Sequence, residues 1–195
     1  MIYESWPWKQ QLLKDADILE RWATKPESDR RGYLLESKVF NSAYAMRKLA
    51  HSYKLSSSFD DRSVNCTRYP SVKPMTWQDR WQYWEHFDLE SPKPINISAL
   101  TLIDTIIHSY IFWEFVNEDP QLTTKFIVTS DWKRNKYLIE FGLEAYVGLM
   151  REAGQDHPSN IQMAYSEEDG DWRMWRGHGQ APPHIAKKLF GNHGE

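Results

Sequence analysis

The side chains best suited to acid–base chemistry lie on one predicted helix. Arg47 and His51 are four residues apart, which makes them neighbours on a helix surface. A guanidinium beside an imidazole favours the neutral imidazole, which can act as a general base near pH 7. The more ordinary interpretation is a solvent-exposed helix flank. Glu36, on the same helix, could form a structural ion pair with an arginine of another helix.

A cluster of tryptophans is the second candidate site. Trp77, Trp81 and Trp84 are spaced i, i+4 and i+7, so their indoles share one face of a predicted short helix. Indoles can stack on bases, bind a cation or anchor a protein partner. They are also among the largest side chains that a core can bury. We expect these three to pack inside the protein in preference to forming an interaction surface.

Two predicted β elements place Trp and Arg close together. A polar hairpin tip contains Trp132 and Arg134, and a later strand contains Trp175 and Arg176, which point to opposite faces. A Trp beside an arginine could stack on a nucleic-acid base, but packing under an arginine stem is the interpretation that we favour. From residue 125 onward, the sequence contains 9 Lys and Arg and 10 Asp and Glu. This part of the chain is therefore not basic enough to form a phosphate-binding domain.

Motifs for other chemistries do not occur in the sequence. There is no Gly-rich phosphate loop, no nucleophile elbow and no HExxH motif. The single cysteine, Cys66, has no predicted base beside it and cannot form an intrachain disulfide. The C-terminal histidines lack acidic or cysteine companions at metal-ligand spacing. We therefore expect neither a metal nor a cofactor.

Helices are predicted for the first part of the chain. Apolar residues at helical spacing predict one helix over residues 8–23 and a longer one over 33–55. The apolar stripe of the longer helix consists of Leu35, Val39, Ser42, Met46, Leu49 and Tyr53. Serines, aspartates and prolines favour a long loop over 56–75. A short helix over 77–87 follows, with Thr76 as its N-cap.

Strands are predicted for the second part of the chain. Aromatic and β-branched residues predict strands over 110–116, 125–130, 136–141, 161–165 and 172–175. Helices over 98–107 and 143–153 lie between them, and the dipeptide Asp169-Gly170 predicts the turn of a hairpin. Beyond residue 177, only 185–190 has the composition of a helix.

These elements define an α+β chain, with an N-terminal helical bundle followed by a small antiparallel sheet with one inserted helix. We predict a single compact domain over residues 1–195. It divides into a helical part over about 1–95, a β-rich part over about 96–176 and a flexible tail over 177–195. With 41% hydrophobic residues and 10 Trp, the chain has enough apolar material to build a core.

The sequence predicts a cytoplasmic protein without membrane contact. The most apolar stretch, residues 98–116, contains Asp104, His108 and Glu114, so it is not a membrane span. The N-terminus lacks the basic and apolar regions of a secretory signal.

Residues 36–56, with the sequence ESKVFNSAYAMRKLAHSYKLS, resemble the long helix of the HEPN superfamily, and the resemblance extends over about residues 8–56. HEPN domains are helical bundles, often dimeric, of prokaryotic toxin and defence systems. Many are metal-independent ribonucleases that use an Arg and a His with four to six residues between them. Outside the similar stretch, Arg80 and His86 have this spacing, and the ribonuclease hypothesis has Arg80 holding a scissile phosphate and His86 acting as general base. Arg47 and His51, with only three residues between them, are the fallback pair.

The function that we prefer is that of a binding protein that recognises a protein partner through the Trp-rich segment or a sheet face. A bacterial defence or toxin–antitoxin context is suggested by the resemblance alone. The alternatives are a metal-independent HEPN-like ribonuclease acting on RNA, and a structural subunit that self-associates as a homodimer. The predicted partner-binding or nucleic-acid-binding residues are Trp77, Trp81, Trp84, Trp132, Arg134, Trp175 and Arg176.

Overall fold

Two long helices begin the chain. The computed structural model describes residues 2–116 and 122–190. Helix α1 spans Trp6–Ala23 and α2 spans Asp29–His51, and they pack against each other as predicted. The Ser28 side chain caps α2 by accepting a hydrogen bond from the Arg31 N–H at 3.2 Å, so this helix begins four residues earlier than expected.

An antiparallel sheet of five strands forms the centre of the molecule. The strands are β1 (Ser63–Pro70), β2 (Lys93–Ser98), β3 (Ser109–Val116), β4 (Thr123–Ser130) and β5 (Tyr137–Gly142). Their order is β2-β1-β5-β4-β3, and every neighbouring pair is antiparallel. Helices α3 (Ser57–Asp60) and α4 (Ala99–Ile107) lie before β1 and between β2 and β3. The predicted α+β class, with helices first and a helix inserted in the sheet, is confirmed.

A hairpin follows the main sheet. Helix α5 (Leu143–Gln155) leads to β6 (Asn160–Ser166) and β7 (Asp171–Gly177), which form a separate two-stranded sheet. Gly170 has a φ of 65° at the turn between them, which confirms the Asp-Gly turn. Helix α6 (Pro183–Phe190) occupies part of the region predicted as a flexible tail, and residues 191–195 of that prediction lie outside the described residues.

The predicted long loop over 56–75 is wrong. This stretch contains α3 and β1, and β1 is an inner strand with β2 and β5 on either side. Val64 and Cys66 face the core while Asn65 is exposed, so the strand alternates, but its few apolar residues make the pattern weak in the sequence. The predicted helical part, residues 1–95, therefore contains two strands.

The predicted helix over 77–87 is also wrong. The chain instead forms a 3₁₀ segment over Asp79–Glu85, with a break at Gln82, where φ is −117° and ψ is 43°. The three indoles therefore do not share a helical face. Trp77, Trp81 and Trp84 are 66%, 61% and 53% exposed, which contradicts the expectation that they are buried.

The sheet is covered on both faces. Helices α2, α4 and α5 pack on one face, α1 packs on α2 and α5, and together they enclose the larger core, which includes Phe126 and Phe141. On the other face, Met75 and Phe87, which flank the 3₁₀ segment, pack with Ile111 of β3 and other sheet residues. This packing holds the 3₁₀ segment on the sheet face opposite the helices.

None of the helices within residues 2–116 and 122–190 has the length and apolar character needed to cross a membrane.

Candidate functional site

A groove runs along the outer edge of β3, the end strand of the sheet in the part of the chain that the structure describes. Six consecutive strand residues, Ser109–Glu114, line a cavity of about 410 Å³. One wall is α2 and the other is the 3₁₀ segment. The wall residues are Gly32, Leu35, Glu36 and Phe40 on α2, and Arg80 and Trp81 on the 3₁₀ segment. We call this cavity the β3 groove.

Aromatic side chains form the 3₁₀ wall of the β3 groove. The rings of Trp81 and Trp113 meet edge to face, with centroids 5.6 Å apart. The Arg80 guanidinium lies over the Trp81 ring, 5.5 Å from its centroid. Both indoles are still more than a third exposed, so they can offer apolar surface to a ligand.

The α2 wall is apolar at its base and acidic at its rim. Phe112 of β3 packs edge to face against Phe40 at 5.1 Å and stacks on Phe126 at 5.4 Å, and Leu35 is buried beside them. Glu36 lines the same wall but is exposed to solvent.

A buried ion pair stabilises the junction between α2 and β3. Arg31 is fully buried, and its Nη2 lies 3.1 Å from Glu114 Oε2 and also donates to Thr123 Oγ1. The Thr123 hydroxyl donates to the same Glu114 oxygen at 2.5 Å. The charge of Glu114 is therefore balanced. Among the described residues, Glu36 has no hydrogen-bond or ion-pair partner, so it is the unbalanced carboxylate of the groove.

The structure does not bring Arg80 and His86 together. Arg80 lines the β3 groove, whereas His86 is buried, with Nδ1 3.0 Å from the Pro74 carbonyl oxygen. Its Nε2 lies 4.0 Å from Asp79, whose pKa is held below its usual value by hydrogen bonds from the Thr76 hydroxyl and N–H. Arg80 is exposed in the groove whereas His86 is buried, so the two side chains do not line one cavity.

Arg47 and His51 do not form a site in this structure either. The Arg47 guanidinium forms an ion pair with Asp104, which joins α2 to α4. His51 is exposed at the end of α2, and neither residue lines the β3 groove. The Arg47 guanidinium therefore has a structural role, because it pairs with Asp104.

The β4–β5 tip lies beside one end of the groove. Trp132 is 81% exposed, and Arg134 forms an ion pair with Asp131 at 2.7 Å. The Arg134 guanidinium also lies 4.5 Å from the ring centroid of Tyr110, a groove residue. This contact makes the tip continuous with the aromatic surface of the groove.

Arg176, one of the predicted partner-binding or nucleic-acid-binding residues, is buried in this structure. Its side chain is 6% exposed, it forms an ion pair with Asp60 of α3, and it lies over the Tyr53 ring at 5.2 Å. Its N–H donates to Ser57 Oγ at 3.0 Å, so the residue attaches the hairpin to α3. Trp175 is half-buried and its ring covers Gly177, where an added Cβ would lie 2.6 Å away.

The groove residues of β3 and α2 are not among the predicted site residues, and residues 110–116 were predicted only as a strand. The available signal was the aromatic content on both faces of that strand, with Phe112 on one face and Trp113 and Phe115 on the other. A strand with large rings on both faces needs packing partners on both sides of the sheet.

The described residues contain no group of three or more His, Cys, Asp or Glu that could hold a metal ion. Comparisons of the chain with models of protein families, with characterised proteins and with solved structures gave no match. The similarity to HEPN domains therefore stays a prediction.

Proposed function

We propose that this chain is a binding protein whose β3 groove accepts an extended segment of a protein partner as an additional strand. The observation that carries the proposal is the outer edge of β3, which no other described strand pairs with and along which six consecutive residues line one cavity between two walls. Recognition by strand addition uses backbone hydrogen bonds for affinity and flanking pockets for side-chain specificity.

The backbone of β3 supports an extended ligand. An end strand presents N–H and C=O groups on alternate residues, and these groups need partners when they are removed from water. Over Ile111–Phe115 the pairing of β3 with β4 is regular, so the outer groups of this stretch are evenly spaced for another strand.

The charge of the groove disfavours RNA. Its lining includes one cation, Arg80, and two carboxylates, Glu36 and Glu114. A phosphate backbone needs several Lys or Arg contacts, and carboxylates repel it. The aromatic rings therefore serve a peptide better than a nucleic acid.

The shape of the groove disfavours direct pairing with β3 of a second copy. The edge lies between α2 on one side and the 3₁₀ segment on the other. Pairing of two β3 edges would also have to bring the flanking walls of both copies together. A single extended segment is narrow enough to enter, because neighbouring strands lie only about 4.8 Å apart.

The test is a selection of displayed random eight-residue peptides on the immobilised full chain. A parallel selection uses the Gly32→Phe variant, because the Cβ of residue 32 would lie 3.4 Å from Glu114 Oε1 and a ring there would fill the groove. The matched control is Gly148→Phe on α5, an exposed helical glycine whose Cβ would meet nothing within 4 Å.

We expect peptides to be enriched on the wild type and on Gly148→Phe, but not on Gly32→Phe. Binding of the enriched peptides should change the fluorescence of the groove indoles, Trp81 and Trp113. Equal enrichment on the blocked variant, or no enrichment on any chain, would overturn the proposal.

A further inference from the structure

We infer that the β3 groove selects a strand in which a Lys or Arg faces Glu36 and the neighbouring positions carry aromatic or large apolar side chains toward Trp81 and Trp113. This inference rests on the proposed function, and it adds the chemical class of the partner segment. It follows from the different charges of the two walls.

The α2 wall favours a ligand with a positive charge. Of the two carboxylates that line the groove, Glu114 of β3 is already balanced by the buried Arg31. Glu36 is exposed and unbalanced among the described residues, so a ligand cation gains an ion pair there without breaking one. Complementary charge at an interface sets partner choice and register more than raw affinity.

The position of Glu36 places that cation near the middle of the bound segment. Gly32, Glu36 and Phe40 follow one another at intervals of four residues along α2, so all three lie on one line of the helix. Each of them lines the groove. A strand bound along this line has Glu36 beside its centre. The apolar residues Leu35 and Phe40 lie beside the rest of the strand.

The 3₁₀ wall favours an aromatic or apolar side chain of the bound segment. Arg80 already lies on the face of Trp81, so a second cation on this wall would meet a like charge. The edge-to-face pair of Trp81 and Trp113 leaves indole surface exposed for a ring to pack against. Because side chains of a strand alternate between two faces, the basic position and the aromatic positions must be adjacent in the sequence of the ligand.

The experiment repeats the peptide selection on three full-length chains: the wild type, Glu36→Gln and Glu36→Lys. We expect Lys or Arg flanked by aromatic residues on the wild type, loss of the basic preference on Glu36→Gln, and Asp or Glu at the same position on Glu36→Lys. Because residue 36 is exposed on the helix surface, these variants keep their fold, which circular dichroism checks.

The best wild-type peptide should bind Glu36→Gln about 2- to 5-fold more weakly, as expected for the loss of one exposed charge pair. The control variant Glu167→Gln, an exposed residue of the β6–β7 turn, should bind it unchanged. Raising the salt concentration should weaken binding to the wild type more than binding to Glu36→Gln.

The outcomes separate the two proposals. Peptides that bind the wild type but not Gly32→Phe, and that show no basic preference or lose no affinity on Glu36→Gln, overturn this inference and leave the proposed function standing. If no peptide binds the groove, both proposals are overturned.

Discussion

Buried cations hold the ends of several elements together. Arg31 pairs with Glu114 beneath the groove, and Arg176 pairs with Asp60 beneath the hairpin. Lys9 of α1 is 1% exposed and donates to the Lys54 carbonyl oxygen at 2.8 Å, and its burial lowers its pKa. A buried charge that loses its partner is strongly destabilising, so these residues fix the local geometry even where they add little net stability.

Replacing Arg31 with Ala should lower the free energy of unfolding by about 3–5 kcal/mol, because Glu114 is left as a half-buried charge without its partner. Urea unfolding followed by circular dichroism measures the loss. The neighbouring Arg30→Ala, an exposed residue that only lies over Trp22, should cost about 0–1 kcal/mol. Equal losses of unfolding free energy for the two variants would show that the buried Arg31–Glu114 pair does not contribute to stability.

The double variant Arg31→Met with Glu114→Gln should regain part of the stability that Arg31→Ala loses, because it removes both buried charges together. The same urea experiment measures it. No recovery would mean that the Arg31 guanidinium itself, and not the isolated Glu114 charge, accounts for the loss.

Cys66 should be unreactive while the chain is folded. Burial raises the pKa of its thiol from 9.0 to about 11, so at pH 8 the thiolate fraction is roughly 100-fold lower than in the unfolded chain. Alkylation by iodoacetamide, with and without guanidinium chloride, measures the difference. Since the pKa is raised in the folded state, this group stabilises the fold below about pH 9, and that contribution is lost as the pH rises through 11. Rapid labelling of the folded chain would contradict the buried position of β1.

At the scale of elements, the spacing of apolar residues was sufficient to predict helices and strands wherever such residues are frequent. Helices α1, α2, α4 and α5 and strands β3, β4 and β5 were predicted because their apolar positions repeat with the period of a helix or form β-branched runs. Strand β1 was missed because Val64 and Cys66 are the only apolar residues that it buries fully. The broken 3₁₀ segment was missed because the spacing of its indoles matches a helix that does not form.

The groove itself was beyond local sequence patterns. It requires that β3 ends the sheet and that two distant segments, α2 and the residues around Trp81, flank the same edge. Both facts depend on pairing between residues far apart in the chain. Trp81 was a candidate because of its residue type and the helical spacing of the three indoles, whereas Glu36 was assigned only a structural ion pair.

Gly154 and Gly148 of α5 should respond in opposite directions to alanine. The helix predicted over 143–153 continues to Gln155, and a Cβ on Gly154 would lie 2.7 Å from Leu13 and 3.1 Å from the Lys9 carbonyl oxygen of α1. Gly154→Ala should therefore cost about 1–3 kcal/mol through overpacking.

Gly148→Ala should stabilise the chain by about 0.5–1 kcal/mol, because this position is exposed and alanine favours the helix. Thermal unfolding of both variants measures the two effects. The same sign for both would contradict the close contact of α1 with α5.

At the scale of the whole molecule, the sheet separates two layers that are unequal in size. Helices α2, α4 and α5 cover one face, with α1 packed on α2 and α5, while the other face is covered in part by the short segment around Met75 and Phe87. The outer edge of β3 lies where these two layers end, so its walls come from both. This position makes the groove a property of the complete fold and not of one motif.

Hydrogen exchange of the full chain, with and without a saturating peptide from the selection, is the most direct test of strand addition. We expect added protection at the outward-facing amides of alternate residues over Ile111–Phe115, and none at β2, the strand at the other end of the sheet. Protection at β2 or in the β6–β7 hairpin, with no change along β3, would contradict the account.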